Sequence, residues 1–274
     1  MNVKFLGTAA AEAVPALWCE CPVCAYARQH GGKDVRRRCS YLIDSDTLID
    51  FGPDAAWQAH EFGIDLTAIR RIVFTHAHVD HLNPVELRWR RPGFSQVSRP
   101  LDIYGNARCL ERIKVEIDGA LEAHRLVLHE LQPGVAVSAG DLSVLPVRAA
   151  HSAPPELALN FVISRGGRSL LIASDTGPWP EASWQLLAGV RLEAAIIEST
   201  GALAQPHVTY GLHLGAQDTV AFRDRLRELG AVTAATRVYT SHFSHNGAPL
   251  HHDMEAFFGP HGITVAYDGL AIDV

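Results

Sequence analysis

No stretch of this 274-residue chain approaches the roughly 20 consecutive apolar residues that a membrane-crossing helix needs. Its apolar runs are short and well separated, so no membrane partner is expected. The opening Met1-Asn2-Val3-Lys4-Phe5-Leu6-Gly7 lacks the long apolar core and small-residue cleavage site of a signal peptide. It reads instead as a strand entering a glycine turn, and a cytoplasmic location is the expectation. Basic residues are outnumbered: 24 Lys and Arg against 30 Asp and Glu give a net charge of −6. The chain therefore lacks the basic face that broad nucleic-acid binding requires, although a small anion held by a metal ion stays open. No repeat, low-complexity tract or long linker interrupts the sequence.

Apolar residues make up 47% of the chain, enough for a sizeable core, and strands alternate with helices throughout. Strands are read at 2–7, 40–44, 47–51, 69–74, 101–104, 126–131, 135–138, 142–148, 193–198 and 236–240. Hairpins are read at 159–165 with 168–173, turned by Gly166-Gly167, and at 263–267 with 270–273, turned by Asp268-Gly269. Helices are expected over 53–62, 82–91, 106–120, 180–188, 215–229 and 249–258. Two stretches of strands, each followed by helices, point to an α/β protein with two sheets face to face and helices outside.

Histidine is plentiful, at 15 residues, and it clusters. His76, His78, Asp80 and His81 follow the β-run Ile69–Phe74 and precede a helical segment. Imidazole and carboxylate are the ligands that zinc, manganese and iron accept. Alternation puts His76 and His78 on one side, free to grip one ion, and leaves Asp80 and His81 for a second. A polar loop with incidental histidines is the bland alternative, and four ligands within six positions at a strand end argue against it.

The run His76-Ala77-His78-Val79-Asp80-His81 resembles the signature of the metallo-β-lactamase superfamily. The resemblance implies a four-layer αββα sandwich, one domain over 1–274, and further ligands at later strand ends. His151 follows the strand Val144–Val147, Asp175 follows Leu170–Ala173, and His242 follows Arg237–Thr240. One divalent ion, zinc or manganese, would be held by His76, His78, His151 and Asp175. A second would be held by Asp80, His81, Asp175 and His242. Two cations about 3.5–4 Å apart would lower the pKa of a bridging water, making it a hydroxide nucleophile that Asp80 orients. Histidine at position 78, where related diiron redox proteins carry a carboxylate, favours hydrolysis over oxygen chemistry.

Three of the five cysteines are crowded as Cys19-Glu20-Cys21-Pro22-Val23-Cys24. Three thiolates fill three corners of a zinc tetrahedron, and crowded cysteines in a cytosolic chain favour metal over disulfide. Cys39 and Cys109 are distant in sequence. His245, three residues after His242, is the candidate fourth ligand of a structural zinc.

The cysteine element narrows the resemblance to the PhnP family, phosphodiesterases that open phosphoribosyl 1,2-cyclic phosphate in phosphonate breakdown. Gly7-Thr8, Trp18-Cys19-Glu20-Cys21, Thr75-His76, Leu87-Arg88-Trp89, Ser174-Asp175-Thr176, Ser244-His245 and Asp268-Gly269 carry it. It implies a structural zinc, a homodimer, and His213 as the catalytic histidine that protonates the leaving oxygen. His207 is the nearby rival. The stretches Thr200–Leu212 and Asn246–Pro249 depart from the family, which leaves the exact phosphodiester open. Arg36-Arg37-Arg38 is read as a solvated face with phosphate contact as the alternative, and His251 and His252 as solvent-facing. Competing functions are tRNA processing of the tRNase Z kind, lactone or thioester hydrolysis, and a PqqB-like accessory role. PqqB shares the cysteines but lacks the intact histidine run.

Overall fold

A computed structural model describes residues 1–152, 156–205, 207, 212–247 and 250–274. The expected helix start at 249, the Tyr210-Gly211 lead into His213 and parts of the two divergent loops lie outside the described residues.

The apolar β-runs form β1 (Asn2–Gly7), β2 (Ser40–Ile43), β3 (Thr47–Ile49), β4 (Arg71–Val73), β5 (Leu101–Gly105), β6 (Leu126–Glu130) and β7 (Val137–Ala139). They continue as β8 (Leu142–Arg148), β9 (Leu159–Arg165), β10 (Arg168–Ala173), β11 (Ala194–Glu198), β12 (Arg237–Ser241), β13 (Ile263–Val265) and β14 (Ala271–Asp273). Two seven-stranded sheets result, ordered β14-β1-β2-β3-β4-β5-β6 and β13-β12-β11-β10-β9-β8-β7. The helices are α1 (Pro22–His30), α2 (Ala55–Glu61), α3 (Ala107–Glu116), α4 (Leu121–His124), α5 (Glu181–Gln185), α6 (Ala216–Glu228) and α7 (His251–Phe258).

Successive side chains along a strand point to opposite faces, and the apolar runs are buried on both. Leu170 and Ile172 of β10 pack between the sheets with Phe5, Tyr41, Ile43 and Phe161. Their neighbours Leu171 and Ala173 face outward, into the cluster formed by Trp184, Phe222, Leu226, Met254 and Phe258. On the other side Leu48, Ile72 and Ile103 meet Leu110 and Ile113 of α3. Each large apolar side chain buried in these layers contributes about 1.5–3 kcal/mol. The architecture is the expected four-layer α/β sandwich. Strands β3 to β6 run parallel, as do β10 to β13. Parallel strands bring their carboxyl ends to one rim, where ligands bind in α/β sheets.

Several local expectations are corrected. The final hairpin does not form: β13 pairs in parallel with β12, whereas β14 pairs antiparallel with β1 in the other sheet. The Asp268 carboxylate accepts from Thr8 Oγ1 at 2.7 Å and from the Arg37 backbone N–H at 2.7 Å. Gly269 N–H donates to Phe5 O at 2.8 Å. These long-range bonds turn a hairpin signal into a crossover between sheets. The helix expected over 106–120 ends at Glu116, before Asp118 and Gly119 with φ of 52° and 72°, and the short α4 starts beyond it at Leu121. The segment Pro84–Arg90 is 3₁₀ rather than α, and buries only Pro84 and Leu87. It lacks the apolar stripe that packs an α-helix. Helix α1, unexpected from the sequence, opens on Pro22 at its first turn with the Cys21 side chain as cap.

The arginine run is neither a solvated face nor a phosphate site. Arg36 is buried and donates to Thr8 Oγ1 (2.8 Å), Ala266 O (2.7 Å) and His251 Nδ1 (2.8 Å). Arg37 pairs with Asp268 at 3.0 Å, and Arg38 with Asp54 at 2.8 Å. His251, expected in solvent, is therefore buried as Arg36's acceptor, while His252 is exposed.

Burial, with Arg36 beside it, pushes His251 down to about 4 from its ordinary 6.5. A folded-state pKa below the unfolded one means that the unfolded chain takes up the proton first as pH falls. Stability is expected to decline between pH 6.5 and 4 through this residue. His251→Gln should flatten that part of a denaturant-midpoint profile. An identical slope in the variant would refute the assignment.

Candidate active site and metal centres

The site is assembled where strands end. The chain leaves β4 through Phe74-Thr75-His76, β8 through Ala149-Ala150-His151, β10 through Ser174-Asp175 and β12 directly into His242. Asp175 and His242 adopt left-handed backbone, with φ of 51° and 60°. Asp50, just beyond β3, does the same at 61°. Non-glycine residues hold this conformation only where surrounding structure over-determines it. The loop from His76 to His81 is clamped by Phe51 N–H donating to His81 O at 2.9 Å and Asn83 N–H donating to Phe51 O at 2.8 Å. Gly52 permits that approach, since a Cβ there would lie 2.0 Å from the Asp80 carbonyl oxygen.

The seven residues expected from the sequence converge. The ligand atoms of His76, His78, His151 and Asp175 all lie within 4.8 Å of one another, and so do those of Asp80, His81, Asp175 and His242. Asp175 Oδ2 lies 2.8 Å from His81 Nε2 and 3.3 Å from His76 Nε2, and its Oδ1 lies 3.4 Å from His242 Nε2. Yet His76 Nε2, His81 Nε2, His242 Nε2 and Asp175 Oδ1 are buried without a hydrogen-bond partner. Buried polar atoms are normally satisfied. Four that crowd together without bonding each other fit a shared cation.

The opposite ring nitrogens are all occupied. His81 Nδ1 lies 2.7 Å from Asp50 Oδ2, and His76 Nδ1 lies 3.0 Å from Thr75 Oγ1. Thr75 Oγ1 in turn donates to Asp50 at 2.9 Å. His242 Nδ1 lies 2.9 Å from Thr200 Oγ1, and His151 Nδ1 lies 3.0 Å from Leu212 O. Such partners fix which nitrogen of a metal-binding histidine faces the ion. Burial opposes charge on His81, but Asp50, Asp80 and Asp175 raise it well above its ordinary value. Burial likewise opposes ionised Asp175, but His242 and His81 hold it well below the carboxylate range. Burial, with His81 nearby, keeps His76 well below its ordinary value.

Two buried acids were missed by sequence reasoning. Besides Asp50, Glu198 ends β11 and forms a third group with Asp175, His213 and His242. Its Oε1 accepts from Thr176 N–H at 2.7 Å and lies 3.0 Å from His213 Nδ1. Its Oε2 accepts from Thr200 Oγ1 at 2.6 Å and Leu214 N–H at 3.2 Å. The signal was available: Ala194–Ile197 and Thr47–Ile49 are apolar runs that end in an acid, as Leu170–Ala173 does before Asp175. Burial would lower His213, but Glu198 and then Asp175 and Asp80 raise it to about 9. The rival His207 is exposed, 3.1 Å from Asp218. His213, His78, Asp80 and Asp175 border an open cleft of about 510 Å³.

Cys19, Cys21, Cys24 and His245 form a separate group, their ligand atoms also within 4.8 Å of one another. His245 Nδ1 lies 3.5 Å from Cys19 Sγ and 3.6 Å from Cys21 Sγ. Burial opposes the Cys21 thiolate, but the Cys24 N–H and His245 lower its pKa. Burial and the neighbouring sulfurs raise that of Cys24. Three cysteines and a histidine match a closed tetrahedral zinc set. Cys39 and Cys109 are buried elsewhere.

Elemental analysis of purified protein should find about three metals per chain if both groups of ligands load. Cys24→Ser should lose one and Asp175→Ala two. A wild-type content of about one would defeat the two-ion reading.

Residues 46–243 match the beta-lactamase superfamily domain. Coenzyme PQQ synthesis protein B of Methylobacterium radiotolerans is 24% identical over 315 aligned positions that cover all of both chains. A diphosphatase from the PhnP family superposes with a TM-score of 0.74 at 24% identity, covering 99% of this chain and 96% of that one. Zinc-bound PqqB from Methylobacterium extorquens superposes at 0.75 with 20% identity over the whole of both chains. With that domain matched across most of its length, and paired histidine–carboxylate groups buried at its strand ends, the chain belongs to the metallo-β-lactamase superfamily as a metal-dependent hydrolase.

Proposed function

We propose that the protein is a phosphodiesterase for a small diester, of the cyclic ribose phosphate class to which phosphoribosyl 1,2-cyclic phosphate belongs. The observation that carries this is the His213–Glu198 pair, 3.0 Å apart, at the edge of the cleft beside Asp175. Hydrolysis of a sugar diester expels an alkoxide, which needs a proton as it leaves. A thioester, which expels a thiolate, places less demand on such an acid.

His76, His78, His151 and Asp175 would hold one divalent ion, and Asp80, His81, Asp175 and His242 the other. When bound, such a pair activates water and offsets charge on the phosphoryl oxygens. The protein's own residues do the rest. Glu198 accepts from His213 Nδ1, which orients the ring and favours its protonated form. Nε2 is then the nitrogen left to give a proton to the departing oxygen. Asp80 borders the cleft and offers a carboxylate oxygen to the attacking water. Thr200 joins Glu198 to His242, which ties the donor's partner acid to the ligand loop.

The same reading includes a homodimer and a place in phosphonate breakdown, both on the PhnP-family resemblance, together with a single domain over 1–274 and a cytoplasmic site of action. Net charge of −6 supports a small substrate rather than nucleic acid. The PhnP-family relative described as a diphosphatase raises a second reading, hydrolysis of a phosphoanhydride.

His213→Ala, prepared with full metal content, should lose about 10²–10⁴-fold in kcat on an alkyl or sugar diester. The loss should be much smaller on bis(p-nitrophenyl) phosphate, whose leaving group needs no proton. Undiminished turnover of the sugar diester by the variant would remove His213 from the reaction.

A further inference from the structure

His76, His81, His151 and His242 each have their far ring nitrogen beside an oxygen. His78 does not. Among the described residues, its ring has one hydrogen-bond partner, His151 Nε2 at 3.1 Å from His78 Nδ1. His78 is also exposed, whereas the other four rings are buried. Its backbone is held instead. Ala77 sits between His76 and His78, and both of its main-chain groups are gripped. Ala77 N–H donates to Glu156 Oε1 at 2.6 Å, and the Arg112 guanidinium of α3 donates to Ala77 O. Glu156 is anchored in turn. Asn106, the cap of α3, donates from Nδ2 to Leu157 O at 2.9 Å and to Glu156 Oε1 at 3.4 Å. The chain on either side is pinned where β9 begins. Ala149 N–H donates to Ala158 O, and Leu159 N–H donates to Thr75 O, each at 2.9 Å.

We propose that Glu156 is a positioning residue for the first ion, the one assigned to His76, His78, His151 and Asp175: with Arg112 on the opposite side, it aims His78 through the backbone of Ala77. A metal-binding histidine is normally aimed by a partner on its far nitrogen. Where that partner is missing, the direction of the side chain rests on the backbone that carries it. Turning either peptide plane beside Ala77 would leave a buried main-chain group unpaired, which folded chains avoid. The bond from Ala77 N–H ends on a carboxylate, and such charge-assisted bonds are the stronger kind. Glu156 also stands shortly after His151 in the chain. One carboxylate therefore ties the segment that supplies His151 to the segment that supplies His76 and His78. The second ion draws nothing from it, since His81 and His242 rest on Asp50 and Thr200. The centre is thus asymmetric, with its first ion dependent on Glu156. This assignment rests on the two-ion reading.

The test is metal affinity. Zinc-loaded wild type, Glu156→Ala, Glu156→Gln, Arg112→Met, His78→Ala and the double variant of Glu156→Ala with His78→Ala are titrated with a chelator, and the ions released are counted. Glu156→Ala should weaken one of the two cleft ions about 10–100-fold, the loss expected when a ligand's supporting partner is removed. The other cleft ion and the ion of the cysteine group should be unaffected. Glu156→Gln keeps an acceptor oxygen for Ala77 N–H and should restore most of the affinity. In the His78→Ala background, Glu156→Ala should cost little more, because residues that act through one another are not additive. Turnover of bis(p-nitrophenyl) phosphate by Glu156→Ala should recover in excess Zn²⁺, which a folding defect would not allow. Release identical to wild type overturns the proposal, as does equal weakening of both cleft ions or full additivity with His78→Ala. Should Glu156→Ala fail to fold, Arg112→Met tests the same grip from the other side of Ala77: it should weaken the same ion, and unchanged affinity overturns the proposal. A wild type that yields about one ion per chain removes the two-ion reading and this assignment with it. A wild type that yields about three, with Glu156→Ala unaffected, removes this assignment alone.

Discussion

One buried carboxylate organises this protein. Asp175 faces imidazole nitrogens from His76, His81 and His242, and approaches His151 at 3.9 Å. These residues come from separate strand ends in both sheets. A charge buried this deeply is tolerable only when paired, and here the pairing atoms are themselves left without hydrogen bonds. Divalent cations would resolve that conflict, so that fold and metal centre would impose a single requirement.

Behind the centre stand two matched relays. Thr75 and Asp50 support His76 and His81 from the first sheet. Thr200 and Glu198 support His242 and His213 from the second. In each a threonine hydroxyl passes one histidine's hydrogen bond to a buried acid that grips another. The relays fix ring orientation, which a flexible loop of ligands could not do. They also explain why His213 stands where it does. His213 is tied to the same acid as a metal ligand's support, so its position follows from the ligand geometry.

The cysteine group links the outer wall of the cleft to its floor. His242 and His245 lie on one short loop, so a zinc held by Cys19, Cys21, Cys24 and His245 would brace the backbone that carries His242. Ser244, between them, touches Glu12. A site that closes off one ion thereby shapes the cleft that receives the substrate.

The amino-acid sequence alone determined the layers and the candidate metal-ligand residues. Apolar runs at strand period, each ending in His or Asp, are short-range patterns that need no tertiary information. That is why His76, His151, Asp175 and His242 were all legible. Glu198 and Asp50 carried the same pattern, yet a lone acid after a strand has no partner in sequence to distinguish it from a solvated one. Only the tertiary structure decided what long-range hydrogen bonds control. It sent the Asp268-Gly269 turn between sheets instead of around a hairpin, and it buried Arg36 against His251. It also set His213 apart from His207 by placing Glu198 beside one and solvent around the other. Local periodicity settles which face of a segment is buried; which acid meets which base across the rim depends on how two sheets pack, and that is a property of the whole chain.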